Sequence, residues 1–269
     1  MNLPPTKAQM LSWLMGRLTG FEIPKAVAFT VDEWRGSPAS VVGTIHAAFG
    51  DGSVAVRSSA IGEDGENNSM AGEFKSALDI KAADFDAIAA AVDEVVDSYA
   101  QKSNQNGRNE ILVQEMVRGV ALSGVLFTCE PNHGAPYYVI NYDDVSGLTT
   151  TVTAGTGSAS NKLLYVYRDA LDRLKSPRFF NLVSAVVELE RVLDCQLLDV
   201  EFVIDENEIP ILLQVRRITT RETLDEGLAS DIEHRIVFKN HSAGWLLVGA
   251  RGLAEFGEFI SAGRLTFPQ

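Results

Sequence analysis

The stretch Asp199–Arg217 constrains this chain more than any other. Val200, Phe202 and Ile204 alternate there with Asp199, Glu201 and Val203, and Ile211, Leu213 and Val215 alternate with Leu212, Gln214 and Arg216. A period of two marks a strand with one buried face. The DENE run at 205–208 supplies a turn, so the segment reads as a hairpin. The two apolar sets must share the buried face, because a one-residue slip would expose one of them. The opposite face then gathers Asp199, Glu201, Gln214 and Arg216. Oxygens from carboxylates and an amide suit Mg²⁺, which keeps waters and phosphate oxygens in its shell. A guanidinium holds a phosphate bidentately. An ordinary exposed Glu–Arg pair has the same pattern, and the hairpin alone leaves both readings open.

Other elements follow from pattern. Residues 10–18 predict a short amphipathic helix ended by Gly20, and Ile23–Thr30 a strand. Ser53–Ser58 predicts a strand that runs into a polar loop, Gly62–Gly72. Residues 84–99 carry Phe85, Ile88, Val92, Val95, Val96 and Tyr99 at helical steps. Ile111–Val117 and Ala121–Thr128 read as two strands around Arg118-Gly119, with the spacing of a hairpin. Strands are expected at Tyr137–Tyr142 and Leu163–Tyr167. A helix is expected over 177–193, with Ser176 as cap, Pro177 in its first turn, and Phe180, Val183 and Val187 on its apolar face. A helix at Leu253–Ile260 is a weaker expectation.

Charge and composition exclude several function classes. The formal net charge of -13 repels a phosphodiester backbone, so no nucleic-acid partner is expected. An anionic ligand would need a locally basic site. No apolar run is long enough for a membrane span. Cys129 and Cys195 are far apart and fit core positions in a reducing, cytoplasmic setting. No Walker A sequence is present, and Gly155-Thr156-Gly157 lacks the rest of a dinucleotide fingerprint. Arg57, at the end of its strand, precedes a loop with glycines and hydroxyls of the kind that can present N–H groups to phosphate; a surface turn has the same composition.

Three ordered blocks add a more specific signal. VAVRSSAIGEDGENNSMAGEF (54–74), ILVQEMVRGVALSGVLFTCEP (111–131) and LLDVEFVIDENEIPILLQVRRIT (197–219) resemble the ATP-binding domain of the phosphoenolpyruvate synthase and pyruvate phosphate dikinase family. The resemblance covers about residues 7–219. It implies an α+β, ATP-grasp fold whose two lobes clasp the nucleotide. The lobes are expected at 1–110 and 111–222, with 223–269 a C-terminal extension. The implied ligands are ATP and Mg²⁺.

By the same resemblance, Arg57 grips the ATP phosphates, and Gly72 and Ser76 belong to a loop over them. Gln114 lies beside the adenine. Glu201 and Gln214 hold the metal, with Asp199 as a helper. Arg216 supports the phosphoryl group in transfer, so its loss is expected to abolish transfer while leaving the fold intact. Lys7, in PTKAQML, is the candidate phosphate lysine, without the glycines of the family's motif. Arg217 stands where the family has proline, and NYDDVSGLTTTVTAGTGS (141–158) replaces its GLGE block. None of His46, His133, His234 and His241 sits in a phosphohistidine motif. The carrier histidine and the acceptor-binding domain are therefore expected outside this chain. The implied activity is that of an ATP-dependent phosphotransferase of dikinase type; the alternative is a regulatory ATP-binding module without transfer.

Overall fold

A computed structural model describes residues 4–61, 75–101, 106–131, 134–146, 162–218, 236–241 and 244–249. The expected polar loop at 62–72, with Gly72, lies outside the described residues, as does the expected helix at 253–260. The fold is α+β: helices pack on two antiparallel sheets.

The first sheet has four strands, β1 (Ala26–Thr30), β2 (Ser53–Ser59), β3 (Ser76–Lys81) and β4 (Glu110–Glu115), in the order β1-β4-β2-β3. One face is covered by helices α2 (Val31–Gly36), α3 (Pro38–Phe49) and α4 (Phe85–Gln101), and Trp34, Ile45, Ile88, Val92, Val95, Val54, Val56, Ile111 and Val113 form its core. The hydrophobic pattern over 31–49 predicts no element. Two local signals were there: Thr30 and Glu33 make a reciprocal capping box, and Pro38 stands in the first turn of α3.

The second sheet has five strands, β5 (Val120–Phe127), β6 (Tyr137–Asp143), β7 (Lys162–Tyr167), β8 (Leu198–Asp205) and β9 (Pro210–Arg217), in the order β7-β6-β5-β8-β9. Helix α5 (Pro177–Leu193) covers one face. Its bounds are those expected and Val183 is buried as expected, beside Phe179, Leu182, Val186, Leu189 and Leu193, but Phe180 is exposed. Glu190 on the same helix is buried, and Arg168 and the Tyr138 hydroxyl pair with it. Cys129 is buried and Cys195 half-buried, and neither forms a disulfide. A separate hairpin joins β10 (Ile236–His241) and β11 (Gly244–Gly249).

Two expectations need correction. The first concerns β4 and β5, which do not pair: β4 lies between β1 and β2, and β5 lies between β6 and β8. Residues 116–119 are a crossing between sheets. The second concerns the β8–β9 register. A bulge between Glu201 and Phe202 leaves Leu213 out of the pairing, so Phe202 faces Leu212 and Val203 faces Ile211. Leu212, not Leu213, joins Val200, Phe202, Ile204 and Val215 in the core. Ile211 and Leu213 turn to the other face and cluster with Val203, Val117 and Val120.

Helix α1 (Lys7–Leu14) ties the sheets together. Ala8, Met10, Leu11 and Leu14 enter the core beneath α5, with Leu112 of β4 among their company. The segment after α1 approaches α5 closely at Gly20, where a Cβ would lie 2.9 Å from the Ala185 backbone, so only glycine fits there.

Candidate nucleotide and metal site

Strand register assembles the site. On β8 and β9, Asp199 stands opposite Arg216 and Glu201 opposite Gln214. Directly opposed residues share a face, so the four expected side chains are brought together. The bulge leaves them in place because it lies beyond Glu201. The same face continues into the neighbouring strands: Val125 lies beside Glu201, and Asn141 beside Val125. Sequence reading did not single out Asn141, although its polar side chain in the apolar run YYVIN was the available signal.

The two carboxylates are treated differently. Asp199 is buried, and its Oδ2 accepts from Arg216 Nε at 2.7 Å and Nη2 at 2.5 Å. Its Oδ1 is buried without a hydrogen-bond partner. Burial pushes the Asp199 carboxyl above the ordinary aspartate range, against the pull of Arg216. Glu201 is half-buried, and its counter-charge comes from the other sheet: Arg57 Nη1 lies 3.6 Å from Glu201 Oε2.

Arg57 reaches this point because β2 alternates. Val54 and Val56 face the core of the first sheet, so Arg57 faces the second. Arg57 pairs with Ser76 on one side and Leu112 on the other, which places Ser76 next to it on the same face. Two residues further along β2, Ser59 Oγ accepts from the Ala8 N–H at 3.0 Å. That contact sets the first turn of α1, which begins at Lys7, beside the strand that carries Arg57. Gln114 is buried between Ala26 and Ala55, and its Nε2 has no hydrogen-bond partner among the described residues. Buried polar groups are ordinarily hydrogen-bonded. Arg57 Nε, Gln114 Nε2 and Asp199 Oδ1, all on residues of the facing surfaces, break that rule together.

The face of β8 and β9 that Arg57 approaches from the first sheet, the cleft face, therefore changes character along the strands. Next to the turn it is apolar, with Val203, Ile211 and Leu213 packed on Val117 and Val120. Further along stand Glu201 and Gln214, then Asp199 and Arg216. Four residues of strand separate Val203 from Asp199, about 13 Å.

Residues 39–166 match the family model of the pyruvate phosphate dikinase AMP/ATP-binding domain. The resemblance read from the motifs is borne out over that stretch. The match includes Arg57, Ser76 and Gln114 and ends before the β8–β9 hairpin. No curated protein sequence matches the chain. Among solved structures, the chain is similar to D-alanyl-alanine synthetase A from Vibrio cholerae, with 15% identity and a TM-score of 0.45 over 81% of this chain and 57% of that one. It is similar to D-alanine-D-alanine ligase from Helicobacter pylori, with 12% identity and a TM-score of 0.42 over 80% of this chain and 54% of that one. A third likeness is to a dinucleotide-forming acetyl-coenzyme A synthetase 1 from Ca. Korarchaeum cryptofilum, with 10% identity and a TM-score of 0.48 over 79% of this chain and 92% of that one. The chain thus spans little more than half the length of the first two. Among the described residues, no helix is long and apolar enough to cross a membrane.

Proposed function

We propose that the chain binds Mg-ATP between its two sheets and donates a phosphoryl group to an acceptor outside the chain, a histidine carrier by the family resemblance. The observation that carries this reading is the convergence of Arg57 from the first sheet on the Glu201–Gln214 pair of the second. The match to an AMP/ATP-binding domain supports the choice of ligand.

The residues fit a magnesium site of one particular kind. Among the described residues, no group of three or more His, Cys, Asp or Glu could hold a metal. Glu201 and Gln214 offer one carboxylate and one amide, and Asp199 offers an unpartnered Oδ1. Mg²⁺ is commonly held by one or two carboxylates, with substrate phosphates and waters completing its shell. Bound there, it would neutralise phosphate charge, which is the main demand of phosphoryl transfer.

The chain's own groups have separate tasks in this reading. The apolar shelf of Val117, Val120, Val203, Ile211 and Leu213 receives the base, with the buried Gln114 amide beside it. Arg57, Lys7 and Ser76 hold the phosphates from the first sheet. Arg216, oriented by Asp199, faces the phosphoryl group in transfer. The cytoplasm is the proposed compartment.

Calorimetric titration with ATP, with and without Mg²⁺, tests the reading, followed by product analysis. Metal-dependent binding is expected, with AMP formed once a carrier is supplied. Failure to bind ATP at millimolar concentration would refute it. Binding without AMP or ADP formation under any condition would leave a regulatory module.

A further inference from the structure

We propose that Glu201 serves two cations in turn: the Arg57 guanidinium while the cleft is empty, and a divalent cation when the nucleotide is bound. The inference rests on the Mg-ATP reading above and adds to it how the site excludes metal until the nucleotide arrives.

Three observations lead to it. Arg57 and Glu201 come from different sheets, and their 3.6 Å approach spans the cleft. Both side chains are largely withdrawn from solvent, at 14% and 22% exposure, so Glu201 depends on a nearby positive charge. The other carboxylate within reach on β8, Asp199, already has both Arg216 contacts on one oxygen. Arg57 is therefore the counter-ion of the carboxylate that the metal requires. A guanidinium and a divalent cation repel each other strongly at this range, so they do not share Glu201.

The nucleotide resolves the competition because it brings negative charge. Its phosphates accept the Arg57 donors, including the buried Nε, which has no hydrogen-bond partner among the described residues. Glu201 is then released to the metal, which also gains phosphate oxygens. No bond is made or broken; two ion pairs exchange partners. Metal and nucleotide affinities are coupled in consequence, and the coupling is reciprocal.

The test uses Mn²⁺ as a spectroscopic probe of metal binding to the whole chain without nucleotide, alongside calorimetry with ATP. Thermal melting checks that each variant is folded. Arg57→Gln is expected to tighten nucleotide-free Mn²⁺ binding by roughly five-fold or more while weakening Mg-ATP binding. Opposite signs from one substitution are the signature of the exchange. Unchanged or weaker Mn²⁺ binding in Arg57→Gln would overturn it. Glu201→Gln gives an independent reading if Arg57→Gln does not fold. It should tighten metal-free ATP binding and abolish the gain on adding Mg²⁺, whereas unchanged or weaker metal-free binding would overturn the exchange. If the wild-type chain binds no ATP with or without metal, the Mg-ATP reading fails as well, a result distinct from either variant's.

Discussion

The two faces of the β8–β9 hairpin share a backbone and divide the protein's tasks. On the face toward α5, Leu198, Val200, Phe202, Ile204, Leu212 and Val215 are buried and wholly apolar. On the cleft face, an apolar end at Val203 and Ile211 gives way to Glu201–Gln214 and then to Asp199–Arg216. The first face can be explained by burial alone. The second cannot, because it holds charge where a sheet gains least from it. Within that face, Asp199 has a partner on its own hairpin, while Glu201 depends on the opposite sheet. Asp199 and Arg216 therefore have a part in stability that Glu201 lacks.

Substitutions can break this division, and the largest effect is expected on the core face. Phe202 is fully buried, and Phe202→Ala should cost about 4 kcal/mol. For a chain of this size that lowers the melting temperature by about 10 °C. A fall of only a degree or two would show that the cleft face, and not the core face, holds the hairpin. Arg216→Ala comes next. The sequence reading expected it to spare the fold, but it would leave the Asp199 carboxylate buried without its partner. Breaking such a pair costs about 3 kcal/mol. The double variant Asp199→Asn, Arg216→Ala should recover part of that loss, and a strictly additive double variant would show that the pair is not coupled.

Glu201→Ala sharpens the comparison from the other side. Its stability effect should stay within about 1 kcal/mol, because at 3.6 Å the contact with Arg57 is longer than a hydrogen bond. The metal-dependent part of ATP binding should disappear in the same variant. A large fall in melting temperature would make Glu201 a structural residue and weaken the functional assignment of the whole face.

How much of this was legible in the sequence depended on whether the signal was local. Asp199, Glu201, Gln214 and Arg216 were placed on one face by alternation alone, and the register agrees. The bulge at Leu213 was not legible, because Ile211, Leu212 and Leu213 are all apolar and both faces of the hairpin bury apolar neighbours there. Strands β4 and β5 were found but wrongly joined. A four-residue link suits a hairpin and a crossing between sheets equally well, and the pairing of β4 with β1 and β2 involves residues far away in sequence. Strand β3 went unread because SALDIK is a mostly solvated edge with Asp79 at positive φ and a register shift against β2. The approach of Arg57 to Glu201 spans two sheets, and no period in the chain encodes it.

The smallest effect is expected at the margin of the core face, where Glu188 on α5 ties down the segment after α1. Its carboxylate accepts from the Thr19 N–H at 3.0 Å, the Thr19 hydroxyl at 2.8 Å and the Gly20 N–H at 2.7 Å. Burial alone would raise its pKa, but these donors outweigh burial and hold the carboxyl below its ordinary 4.5. A lowered pKa in the folded state means that the stabilisation is fully present above pH 4.5 and fades as pH falls through the folded value. Glu188→Gln should therefore lower stability at neutral pH, by under about 1 kcal/mol because solvent screens the site. The difference from wild type should shrink as the pH is taken below 4.5. Melting curves across that range check the sign: a difference that stays constant or grows on acidification would mean that the ionised carboxylate is not what anchors Thr19 and Gly20. It would then fall to the close packing of Gly20 on Ala185 to set the path of the chain from α1 into the first sheet.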